Sequence, residues 1–113
     1  MIHERNLALM FKVLAVIPRV RIIQLLKQRP LCVGALSVRL DITAGAVSQH
    51  LRVLRKAGLV KAEKRGYFMH YQLNQETLSR WKQVADEFLT APKAPVAQDL
   101  LQSAGGPDNI VKT

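Results

Sequence analysis

Apolar residues recur along the chain with two periods, and the switch between them lays out the elements. Over residues 4–16, Leu7, Met10, Phe11 and Leu14 share one face at helical spacing. Pro18 suits the first turn of a second helix, which runs to about Gln28 through Val20, Ile22, Ile23 and Leu26 until Arg29-Pro30 breaks it. Ala35, Leu36 and Leu40 give a short third helix its inner face. Val47, Leu51 and Leu54 then repeat at i, i+4 and i+7 in a fourth. From Val60 the period drops to two. Val60 and Ala62 alternate with Lys61 and Glu63; Tyr67, Met69, Tyr71 and Leu73 alternate with Phe68, His70 and Gln72. Gly66 supplies the positive φ for a turn, so residues 60–73 read as a β-hairpin with a basic tip at Lys64, Arg65 and Gly66. Helical spacing returns over about 75–89, with Asn74 as cap and Leu78, Trp81, Ala85 and Phe88 on one face.

The fourth helix is specified at both ends. The Thr43 hydroxyl can accept an orphan N–H of the first turn, and Ile42 and Val47 occupy the staple positions. At the far end Gly58 suits the left-handed position, with Leu59 folding back on Leu54. Only Asp41 and Ile42 separate the third helix from the cap, so the two helices must cross steeply, as a helix-turn-helix does. The predicted class is mainly α with a β-hairpin wing (α+β): a winged helix-turn-helix of order ααααββα. It would span residues 1–90, with a flexible tail over 91–113, rich in Pro and Gly, that holds at most a short helical piece near Leu100.

The outer stripe of the fourth helix is polar and basic. Ser48, Gln49 and Arg52 are placed to reach base edges, and Thr43, Arg55 and Lys56 to reach phosphates. Lys64 and Arg65 at the hairpin tip suit a minor groove. His50 lies beside the apolar stripe and reads as packing or as a phosphate contact. Charge placement agrees: residues 1–73 carry 13 basic and 3 acidic side chains, residues 74–113 carry 4 and 5, and the total is +9. An excess confined to the helix-turn-helix half suits a polyanion, double-stranded DNA first. No helix pairs an apolar face with a continuous Lys/Arg face, which disfavours a membrane surface. The single-strand stacking aromatics expected of an RNA binder are missing from the basic helix. No paired acid/base set, phosphate-binding glycine loop or nucleophile with a nearby base points to an enzyme, and no cofactor is implied.

Cys32 is the one cysteine, so an intramolecular disulfide is impossible and a reducing cytoplasm fits. It is a packed residue or, with Arg29 nearby, a redox or effector site. The apolar stretch from Leu7 to Ile17 is interrupted by Lys12, ended by Pro18 and too short for a membrane span. A core this small gains from oligomerisation. Leu7, Met10, Phe11 and Leu14 on the first helix and Leu78, Trp81, Ala85 and Phe88 on the last are the expected homodimer face.

The chain resembles the ArsR/SmtB family of bacterial winged-helix repressors over about residues 5–89. The resemblance is carried by Leu14-Ala15, Arg19, the run Arg21 to Leu26, the stretch Pro30 to Val33, almost all of Ala46 to Val60, and Gly66 and Tyr71 in the wing. It implies a homodimer that occupies a palindromic operator and leaves it when a metal or other effector binds. Many members carry Cys-Val-Cys at the start of the third helix, but here the run is Cys32-Val33-Gly34. Others hold metal through His and carboxylate pairs on the last helix, but residues 75–89 contain no His, and Asp86 and Glu87 are adjacent. His3, His50 and His70 show no ligand spacing. No metal site carries over, which leaves an unknown small effector or none. Val16-Ile17-Pro18-Arg19 also departs from the family's Asp-Pro turn. The competing reading is a winged-helix protein-interaction module that binds no DNA, though such modules usually lose the basic stripe that this chain keeps.

Overall fold

The computed structural model describes residues 3–92. Five helices and three strands follow in the order α1 (Glu4–Leu14), α2 (Ile17–Leu26), β1 (Leu31–Cys32), α3 (Val33–Leu40), α4 (Ala44–Lys56), β2 (Val60–Arg65), β3 (Phe68–Leu73) and α5 (Gln75–Leu89). This is a winged helix-turn-helix with the expected order of helices and hairpin, plus one addition. The two-residue strand β1 pairs antiparallel with β3, Leu31 opposite Tyr71 and Cys32 opposite His70, and makes the sheet three-stranded in the order β1-β3-β2. α1 and α2 end two residues earlier than their apolar periodicity predicts. The expected tail and its helical piece near Leu100 fall almost wholly outside the described residues.

Local chemistry explains the joints. Thr43 Oγ1 accepts from the Ala46 N–H at 3.1 Å, and Asn74 Oδ1 accepts from the Thr77 N–H at 3.4 Å. Gly58 has φ +81°, the Gly58 N–H donates to Arg55 O, and the Leu59 N–H donates to Leu54 O, both at 2.9 Å. Those two bonds close α4 in a Schellman turn and fold Leu59 back over Leu54, both fully buried. The helix-turn-helix corner is clasped twice: Ser37 Oγ donates to Ile42 O, and the Ile42 N–H donates to Ser37 O. Asp41 takes the left-handed conformation there (φ 55°), which Asp tolerates better than most side chains.

Ile22, Leu36, Val47, Leu51, Leu54 and Leu59 form the fully buried centre, so α2, α3 and α4 meet at one point with the start of the wing. Val60 and Leu73 anchor the base of the hairpin in this core, whereas Tyr67 and Phe68 at its end are exposed. Of the loop residues Gly66 and Tyr67, only Gly66 has positive φ, as a type II′ hairpin turn requires. The tip is therefore Gly66-Tyr67, and Lys64 and Arg65 belong to β2.

Candidate nucleic-acid interface

With its apolar stripe buried, α4 turns Ser48, Gln49, Arg52, Arg55 and Lys56 to solvent, and Thr43 is exposed at its cap. Arg55 and Lys56 stand in the last turn, where the helix dipole favours cations. Between α4 and the wing lies a cleft of about 420 Å³ lined by Ser48, Leu51, Arg52, Arg55, Lys56 and Tyr71. No acidic residue lines it.

The hairpin register separates its two cations. Lys64 is opposite Met69 and shares a sheet face with Tyr71, the face that looks onto the core and the cleft. Arg65 is opposite Phe68 on the other face, where it pairs with Glu63 at 3.5 Å while Gln72 Nε2 donates to the same carboxylate oxygen. Sequence alone treats the two cations alike, because the face of a strand residue depends on where the turn falls.

His50 is half-buried and turned away from the exposed row. The Arg19 Nε–H donates to its Nδ1 at 3.3 Å, and Arg19 Nη1 donates to Val13 O at 3.2 Å. Burial, and then the Arg19 charge, lower the His50 pKa below 6.5, so near neutral pH the ring is a neutral acceptor with its proton on Nε2. Tyr71 lines the cleft, though in the sequence it stands only as an alternating residue of the hairpin and is not among the candidate DNA-binding residues. Its period-two position is the available signal, but its neighbourhood follows from the pairing of β3 with β2, where Tyr71 stands opposite Ala62.

The apolar residues of the terminal helices are brought together. Met10, Phe11, Leu14, Leu78, Trp81 and Ala85 line one hollow of about 230 Å³ between α1 and α5. The Phe88 ring lies 6.0 Å from that of Phe11, and Leu7 is half-buried outside this hollow. Phe11 and Phe88 remain exposed. Cys32 is half-buried at the N-cap of α3, opposite His70, whose buried Nδ1 has no hydrogen-bond partner among the described residues. Among the described residues no three His, Cys, Asp or Glu side chains converge as a metal site would require, and no helix is long and apolar enough to cross a membrane.

The profile of the bacterial regulatory protein, arsR family, matches residues 18–62, which run from the start of α2 to the middle of β2. The arsenical resistance operon repressor of Escherichia coli (strain K12) is 35% identical over 79 residues, covering 69% of this chain and 68% of that protein. The chain belongs to the ArsR family. A crystal structure described as a possible transcriptional regulator for arsenical resistance superposes with a TM-score of 0.69 at 33% identity, over 84% of this ArsR-family chain and 94% of that one. A solution structure from Mycobacterium bovis, described as a homodimeric winged helix-turn-helix DNA-binding domain and a possible ArsR-family regulator, superposes with a TM-score of 0.58 at 26% identity, over 83% and 96%. Like its relatives, this ArsR-family member is a transcriptional regulator and not an enzyme.

Proposed function

We propose that this protein is a cytoplasmic homodimer that represses transcription by occupying a palindromic operator in double-stranded DNA. The observation that carries the reading is the exposed row on α4 beside a cleft with three cations and no carboxylate. α4 enters the major groove, with Ser48, Gln49 and Arg52 at base edges and Thr43, Arg55 and Lys56 on phosphates. Lys64 follows the cleft face of the wing to the flanking backbone, and Arg65 does so once released from Glu63. His50 serves this interface by holding α4 to Arg19. Two-fold pairing through Phe11, Phe88 and the hollow between α1 and α5 places two such units on two half-sites, as the M. bovis homodimer supports. In this reading the winged unit ends at about residue 90, and the expected tail lies almost wholly beyond the described residues.

The family's metal sites are not retained in this reading, since Gly34 stands where a second thiolate would be needed and α5 offers no imidazole. A thiol signal at Cys32 is the second reading, favoured by the unpartnered His70 Nδ1 on the adjoining strand. Release of DNA by peroxide that survives Cys32→Ser removes it.

Fluorescence anisotropy of the reduced protein against its own upstream promoter duplex, with a shuffled duplex as control, tests the main reading. Tight binding to the promoter alone supports a specific, self-regulating repressor. Absence of binding to any duplex, after selection from a random pool, leaves the protein-interaction module.

A further inference from the structure

Lys56 ends α4 between two hollows of different character. On one side is the basic cleft beside the wing. On the other, a groove of about 370 Å³ runs between α1, the end of α4 and α5. Leu9, Met10, Val13, Val53 and Trp81 give it apolar walls, and Lys56 is its one charged lining residue. Its volume falls in the range of small-molecule sites, which are mostly apolar with few polar groups. Met10 is buried, and Val13, Val53 and Trp81 are half-buried. The ammonium of Lys56 has no ion-pair partner among the described residues. Met10 and Trp81, from the proposed dimer face, line both this groove and the neighbouring hollow, whereas Phe11, Leu14 and Ala85 line the hollow alone.

An apolar trough with one unpaired cation at its wall is complementary to a molecule with an apolar body and one negative head. We propose that this groove binds an amphipathic organic carboxylate whose head pairs with Lys56. Because Lys56 also lines the DNA-side cleft, the bound carboxylate withdraws that cation from the phosphate backbone and weakens DNA binding. The effect on DNA rests on the repressor reading, whereas the binding site does not.

Trp81 is the sole tryptophan and lines the groove, so its fluorescence reports binding without DNA. Decanoate, 1-decanol and decylamine share a chain and differ in head group; each is titrated below its aggregation threshold. Decanoate is expected to give a saturable Trp81 response at about two- to fivefold lower concentration than decanol, the yield of one exposed ion pair, with decylamine weakest. Lys56→Gln is expected to erase the preference for decanoate while keeping the decanol response. Leu9→Glu, at a position already half exposed, is expected to weaken both, with unchanged circular dichroism as the check on folding. In anisotropy, decanoate should release DNA from the parent protein but not from Lys56→Gln complexes formed at lower salt.

The site is overturned by no saturable Trp81 response, by equal affinity for decanoate and decanol, or by a preference that survives Lys56→Gln. A response that disappears as protein concentration drives dimerisation also overturns it, because a second copy then fills the groove. A Trp81 response with undisturbed DNA binding overturns the regulatory link. Failure to bind any DNA overturns the repressor reading and leaves the Trp81 result standing.

Discussion

Arg19 at the start of α2 donates its Nε–H to Nδ1 of His50 in the middle of α4, 31 residues later in the chain. The same guanidinium reaches Val13 O in α1, so one side chain ties three helices at the back of the candidate reading helix. Losing both bonds in Arg19→Met should destabilise the fold by about 1–2 kcal/mol, read from urea unfolding. The His50 pKa is depressed in the folded chain, so the unfolded state binds more protons over the window that opens near 6.5 and extends downward. The contribution is therefore complete above that value and is lost as pH falls. Melting temperature should fall between about pH 7 and about pH 5, and His50→Gln should flatten that slope relative to the parent. An unchanged slope would remove His50 as its source.

Gly58 closes α4 with φ +81°, and a Cβ added there would meet Thr77 Oγ1 at 3.5 Å, an ordinary contact. The penalty of Gly58→Ala is thus conformational and should be about 1–2 kcal/mol of stability. A loss much larger than that in chemical denaturation would mean that the buried Thr77 had been displaced.

Glu63 is the one carboxylate of the wing, and it engages Arg65 and Gln72 on the face away from the cleft. Glu63→Gln should leave stability within about 1 kcal/mol, because the pair is exposed. It should raise DNA affinity and steepen the dependence of log affinity on log salt by about one, as Arg65 becomes free to neutralise a phosphate. An unaltered salt slope would place Arg65 off the DNA.

Gln49 and Arg55 are both exposed on α4, but only Arg55 lines the cleft. Gln49→Ala should weaken preferred-site binding by about 1–3 kcal/mol and leave random-site binding nearly unchanged. Arg55→Ala should weaken both alike and lower the salt slope. Equal losses on the two duplexes for Gln49→Ala would exclude it from base readout.

The Phe11 and Phe88 rings lie 6.0 Å apart, tilted by 50°, yet stay exposed, which leaves apolar surface to be covered. Phe88→Glu should shift the protein to monomer in sedimentation, with circular dichroism unchanged. A dimer that persists would assign the two-fold contact elsewhere.

What was legible in the sequence was what neighbours decide. Thr43, Gly58 and Asn74 act within one helical turn of themselves, so the ends of α4 and the start of α5 follow from residue type and spacing. β1 was not legible: two residues carry no period, and Leu31 and Cys32 become a strand only because Tyr71 and His70 arrive alongside. His50 is a similar case. Its place beside the apolar stripe left packing and phosphate contact equally open, and Arg19, from another helix, draws it inward. Tyr71 and the division between Lys64 and Arg65 likewise depend on strand register.

β1 has a mechanical consequence for recognition. Its last residue, Cys32, is the N-cap of α3, and its ladder partner β3 is the returning limb of the wing. The corner Ser37–Ile42 then fixes α3 to α4. In the proposed reading, the helix at one groove and the hairpin at the next are jaws of one caliper, bridged by β1 and α3. On that reading, variation in operator length would be absorbed at the proposed contact between protomers, and tolerance to inserted base pairs between half-sites would measure the compliance of the α1 and α5 contact and not that of the reading head.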